Sequence, residues 1–116
     1  MPARPKTLSA AIDRFAAARD WEQFHTPKNL AMAVAVEAAE ILEIFQWLTA
    51  EQSVRLDRRR RAHLADELAD TYILLLRLAS VSGIDLQRAA RRKLVKNGRK
   101  YPVHKSRGTA KKYSEL

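Results

Sequence analysis

The chain has 116 residues, a length for one domain with one core, and its 47% hydrophobic and 30% charged residues, with only 3 Gly and 4 Pro, exclude disordered and low-complexity classes. The absence of Cys removes disulfides, zinc fingers, thiol nucleophiles and iron–sulfur clusters, suits a reducing cytoplasm, and leaves any metal chemistry to carboxylates. Lys and Arg number 22 against 13 Asp and Glu, a net charge of +9, so an anionic partner is the first expectation, with DNA, a membrane surface and a nucleotide all eligible.

The opening Met1-Pro-Ala-Arg-Pro-Lys-Thr7 is basic but leads into no long apolar run, so neither a signal peptide nor a membrane-spanning helix is expected. A first helix is predicted over Leu8 to Asp20, with Thr7 or Ser9 as its cap and Ile12, Phe15 and Ala16 on one side. The connector Trp21-Glu-Gln-Phe-His25 is unusually aromatic. Thr26-Pro27 then reads as an N-cap and a first-turn proline, starting a second helix that runs to about Leu48. Thr49-Ala-Glu-Gln52 has the spacing of a capping box and marks a fresh helical start. The basic stretch Arg55 to Arg61 precedes a third helix, about Arg60 to Val81, closed by Gly83. Asp85 caps a fourth, Leu86 to about Asn97, ended by Asn97-Gly98 and Pro102. No segment alternates with period two, so the reading is all-α: four main helices in one domain over 1–116, with a basic C-terminal tail from about 103 to 116 that is mobile or docked on a partner.

Acids stand where apolar residues belong. With the second helix projected at 100° per residue, Leu30, Ala33, Val34, Ile41, Ile44 and Leu48 fall within about 60° of Glu37, so this acid occupies the middle of the apolar stripe. Glu40 lies one turn on, at the stripe's edge; Glu43 falls toward the polar side. The third helix is apolar around most of its circumference except for one side bearing His63, Glu67, Asp70 and Arg77. Glu37/Glu40 and Glu67/Asp70 are each spaced i, i+3, about 5–6 Å apart at Cβ, and antiparallel packing of the two helices would bring four carboxylates together. Four such groups cannot all ionise against one another without a cation. Oxygen-only ligation points to Mg²⁺, with Mn²⁺ as the substitute, and Mg²⁺ commonly shares its ligands with phosphate oxygens. The competing reading is structural: Arg77 neutralises Asp70, and His63 pairs with Asp66 or Glu67.

The segments Arg19-Asp-Trp-Glu-Gln-Phe-His25, Lys28-Asn-Leu30, Glu37-Ala-Ala-Glu40-Ile-Leu-Glu43-Ile-Phe-Gln-Trp47, Asp66-Glu-Leu-Ala-Asp70, Asn97-Gly-Arg-Lys-Tyr-Pro102 and Lys112-Tyr-Ser-Glu-Leu116 together resemble the MazG-like nucleoside triphosphate pyrophosphohydrolases, nearest their dCTP pyrophosphatase branch. The resemblance covers Ile12 to the C-terminus. It implies a MazG-like helical bundle that oligomerises through buried helices as a dimer or tetramer. It also implies a Mg²⁺-dependent hydrolase taking a (deoxy)nucleoside triphosphate, dCTP or a modified dCTP, to the monophosphate and pyrophosphate. By the same likeness Glu37, Glu40, Glu67 and Asp70 are metal ligands, and Glu43 either supports those ligands from behind or positions water. Trp21, His25, Asn29 and Trp47 serve the base, and Lys93, Asn97, Lys100 and Tyr101 the phosphates. One departure is Leu74, where the branch carries an aromatic four residues after the Asp, with Tyr72 nearby; it bears on fine substrate preference rather than on the metal site.

Two further function classes stay open on sequence. The near acid-free run from Leu86 to Ser114 suits a basic helical nucleic-acid-binding protein, although four inward acids have no use there. A non-catalytic bundle, with the acids held in ion pairs, is the other. The favoured expectation is a cytoplasmic enzyme with a nucleotide substrate, homo-oligomeric, with no membrane and no nucleic-acid partner.

Overall fold

The structure, a computed structural model, describes residues 6–116; the first five residues of the basic N-terminal stretch lie outside it. The described residues form helices and connecting turns without strands. In order these are α1 (Leu8–Ala18), α2 (Pro27–Phe45), α3 (Ala50–Ser53), α4 (Arg58–Val81), α5 (Leu86–Lys100) and α6 (Val103–Ser106), with a closing 3-10 turn at Tyr113–Glu115. The four long helices agree with the all-α expectation. None is long and apolar enough to cross a membrane among the described residues.

Local chemistry sets most of the boundaries. Thr7 caps α1 by accepting from the Ala10 amide, Thr26 caps α2 from Asn29, and Pro27 fills the position where a missing N–H costs nothing. Thr49 and Gln52 exchange hydrogen bonds of 2.9 and 3.2 Å, the reciprocal capping box expected there. Asp85 caps α5 through the Arg88 amide.

Four boundaries move. Helix α1 ends at Ala18 rather than Asp20, because Asp20 takes the left-handed region at φ 52°. Helix α2 ends at Phe45: the chain turns with Leu48 bonded to the Phe45 carbonyl, leaving Thr49 free to start α3. Helix α4 begins two residues early at Arg58, since Asp57 accepts from the Arg60 amide at 2.8 Å and makes the basic run its first turn. Helix α5 passes through Asn97-Gly98 and stops only at Lys100, ahead of Pro102.

The chain divides into two compact units, the first ending at Gly83 and the second spanning Ile84–Leu116. In the first, α4 is the central element, with α2 and α1 both packed on it. Ala16, Leu30 and Ala79 are the buried apolar side chains, one from each helix of this group. The apolar circumference of α4 is only partly covered by α1 and α2. Leu68, Tyr72, Ile73 and Leu75 of α4 are exposed in the single chain. In the second unit, Tyr113 packs edge-on against Tyr101 at 6.2 Å and lies 4.8 Å beneath the Lys100 ammonium, so the tail returns to the end of its own α5.

Candidate metal centre and its neighbouring charge network

Two contacts fix how α2 and α4 run. His25, just before α2, meets Arg77 near the end of α4, while Glu37, midway along α2, meets Glu67 earlier in α4. The helices are therefore antiparallel, the arrangement that brings acids on facing stripes together.

Carboxylate oxygens of Glu37, Glu67 and Asp70 lie within 4.8 Å of one another. Glu37 and Glu67 are half-buried and Asp70 is exposed, so the cluster has a protein side and an open side. Glu40, also half-buried, acts on both Glu37 and Glu67 through hydrogen bonding and charge without joining the tight trio. The electrostatics follow from crowding. The hydrogen bond with Glu67, then burial, then Glu40, push the Glu37 carboxyl up to about 7 from 4.5. For Glu67 the hydrogen bond from Glu37 pulls downward. The Glu40 hydrogen bond, burial and the charges of Glu40 and Asp70 push upward and prevail.

The donor set fits a hard divalent cation. Glu37 Oε2 and Glu67 Oε2 are buried and have no hydrogen-bond partner, a costly state for a carboxylate and one that a cation relieves. His63 Nε2 stands 3.5 Å from Glu67 Oε1, the pairing foreseen by the structural reading, but it leaves the second oxygen unpaired.

Arg77 does not neutralise Asp70. Its guanidinium belongs to a buried residue, 6% exposed, and has other partners two turns farther along the same side of α4. There Nη1 donates to Asp13 Oδ1 at 2.8 Å and Nε donates to His25 Nδ1 at 2.9 Å. The Ser80 hydroxyl donates to Asp13 Oδ2 at 2.6 Å, completing the carboxylate. Neither Asp13 nor Ser80 was singled out from sequence. A signal existed: Asp13 stands three residues before the buried Ala16 of α1, an acid on an apolar stripe just as Glu37 is.

The remaining expected residues fall in several places. Trp21 packs edge-on against Phe15 at 5.7 Å and tilts against His25 at 6.1 Å. The Asn29 amide donates to the Phe24 carbonyl and so tethers the aromatic connector to α2. Trp47, just past α2, is 87% exposed, and Glu43 is exposed farther along the acidic helix. Lys93, Asn97, Lys100 and Tyr101 belong to the second unit, where Tyr113, a residue without an assigned part at the sequence level, holds Lys100 and Tyr101. A small apolar cleft of about 260 Å³, lined by Ala11, Ile12, Phe15 and Ile73, opens between α1 and α4. Ile73 is one helical turn beyond Asp70, so cleft and acids are neighbours along α4.

An all-helical bundle whose antiparallel helices bring carboxylates together in a cluster suited to a divalent cation defines the class of the fold and site. Residues 32–116 match the MazG-like family, and the chain belongs to it. It is 47% identical over 104 residues to dCTP pyrophosphatase 1 of Bos taurus, an alignment covering 88% of this chain and 62% of the bovine protein. Against dCTP pyrophosphatase 1 of Homo sapiens it is 44% identical, over 88% of this chain and 61% of the human one. The chain thus spans less than two thirds of the length of these relatives. Its fold is similar to the crystal structure of a pyrophosphatase from Archaeoglobus fulgidus, with a TM-score of 0.78 and 37% identity, covering 88% of this chain and 99% of that one.

Proposed function

We propose that this chain, acting as a single MazG-like domain, is a nucleoside triphosphate pyrophosphohydrolase that takes dCTP or a modified dCTP to the monophosphate and pyrophosphate. The observation that carries this reading is the trio Glu37, Glu67 and Asp70, with two buried, partnerless oxygens. The similarity to dCTP pyrophosphatases supplies the substrate class and the bond cleaved.

Glu37, Glu67 and Asp70 hold the cation, Mg²⁺ or Mn²⁺, with Glu40 adding charge to the same face. The cation, when bound, neutralises phosphate charge and acidifies water. Glu43 positions the attacking water from the next turn of α2. Trp21 and Trp47 offer flat surfaces for a pyrimidine and His25 a hydrogen bond to its edge, with Asn29 keeping the connector in place. Lys93, Asn97, Lys100 and Tyr101 donate to the phosphates and offset charge on the leaving pyrophosphate.

The working form is a homo-oligomer, a dimer or tetramer, in the cytoplasm. A single chain leaves Leu42, Leu68, Tyr72 and Trp47 exposed on and beside the acidic helices, an apolar surface that a second copy would cover.

The test is pyrophosphate release from a panel of canonical and 5-modified nucleoside triphosphates with Mg²⁺. Release from dCTP or a 5-modified dCTP in preference to the rest is expected. No release from any member would overturn the reading.

A further inference from the structure

Arg77 has more hydrogen-bonding geometry than a packing role needs. A guanidinium only donates. Because Arg77 Nε points at His25 Nδ1 across 2.9 Å, that ring nitrogen must keep its lone pair, and the neutral imidazole must carry its hydrogen on Nε2. The arginine cannot swing away. It is almost wholly buried, Asp13 grips its Nη1, and Ser80 fixes Asp13 from the other side. Burial, then the Arg77 charge, lower the pKa of His25, which keeps the ring neutral.

His25 also terminates a line of aromatic contacts leading to the apolar cleft. Phe15 lines the cleft, Trp21 stands 5.7 Å from Phe15, and His25 stands 6.1 Å from Trp21. The cleft begins one turn of α4 beyond Asp70, so a flat, uncharged group joined to phosphates held at the acids would meet this aromatic line.

We propose that Arg77 is a positioning residue for base selection: it locks His25 as an Nε2–H donor, so that the protein offers the base a donor and never an acceptor. Cytosine accepts at N3 and matches that donor there, O2 being an acceptor in all three pyrimidines. Thymine and uracil place a hydrogen on N3 and match it less well. This inference rests on the hydrolase reading and adds to it the atom that discriminates.

The test joins a spectroscopic and a kinetic readout on the full chain with Mg²⁺. Nitrogen-15 NMR of the His25 ring in the unaltered protein is expected to show the neutral ring as its Nε2–H tautomer at pH 8. In Arg77→Met the lock is lost. KM for dCTP is expected to rise about tenfold with kcat within twofold, as one neutral hydrogen bond is misaligned and the acids are untouched. The preference for dCTP over dUTP should shrink with it. Arg77→Lys, which keeps a donating cation, should recover part of both. If Arg77→Met fails to fold, Asp13→Asn combined with Arg77→Met removes the stranded charge and serves instead. An Nδ1-protonated ring in the unaltered protein overturns the proposal. So does a lowered Tm in Arg77→Met with KM and base preference unmoved, which would make Arg77 purely structural. Absence of pyrophosphate release by the unaltered protein takes down the hydrolase reading and this one with it; release combined with an unmoved preference takes down this one alone.

Discussion

Helix α4 carries two charge clusters on one side, about 10 Å of helical rise apart, and they are opposite in kind. At Glu67 and Asp70 negative charge accumulates against Glu37 with oxygens left unpartnered. At Arg77 a buried cation meets one carboxylate and one neutral ring, and the carboxylate's second oxygen is taken by a hydroxyl. One cluster is closed and the other is incomplete. Partial burial of charge therefore does not by itself mark a working site; unmatched charge does.

The comparison breaks most visibly at the incomplete cluster. Glu37→Gln and Asp70→Asn each remove a ligand oxygen's charge, and each is expected to lower kcat for pyrophosphate release by about 100-fold or more while the circular dichroism spectrum stays helical. Retention of full activity by both would reassign the site.

At the closed cluster the same kind of change acts on stability. Asp13→Ala strands a guanidinium that cannot shed its charge and is expected to cost about 3 kcal/mol in chemical denaturation. Arg77→Met strands a carboxylate that is itself partly open to water and should cost less, about 1–2 kcal/mol. Equal losses would mean that the burial asymmetry of the pair has no energetic weight.

The two clusters also differ in their response to pH. Glu37 holds its proton in the folded chain up to about pH 7, whereas the unfolded chain releases it near 4.5. The folded state thus binds more protons between those values, and metal-free stability is expected to fall as pH rises through that window. Mg²⁺ should reverse the trend above pH 7, where the ligand is ionised. Thermal melts from pH 4 to 9 with and without Mg²⁺ measure both slopes. The smallest effect belongs to the second unit. Tyr113→Ala frees Lys100, and the loss of a cation–π contact of about 0.5–1 kcal/mol should raise KM two- to fivefold with the melting temperature of the first unit unchanged.

What could be read in advance was whatever is written locally. The caps at Thr26, Thr49 and Asp85 are single-turn hydrogen bonds, and all three formed. Glu37 announced itself because a carboxylate in mid-stripe violates helix periodicity. The partner of Arg77 was not legible, since Asp13 lies 64 residues away and nothing in a one-dimensional pattern selects it over the nearer Asp70. The end of α5 was misplaced for a different reason. Asn97-Gly98 favours a stop, but helical backbone bonds continue to Tyr101, and local preference yielded.

That override leaves a mark on α5. A side chain at Gly98 would meet nothing within 4 Å, so no close approach demands glycine there. The residue instead weakens the helix by about 1 kcal/mol relative to alanine, directly beneath the turn that carries Lys100. Amide hydrogens of that turn should exchange with solvent ahead of the rest of α5. A methyl group at Gly98 would slow that exchange, making this position a dial on how firmly Lys100 is presented.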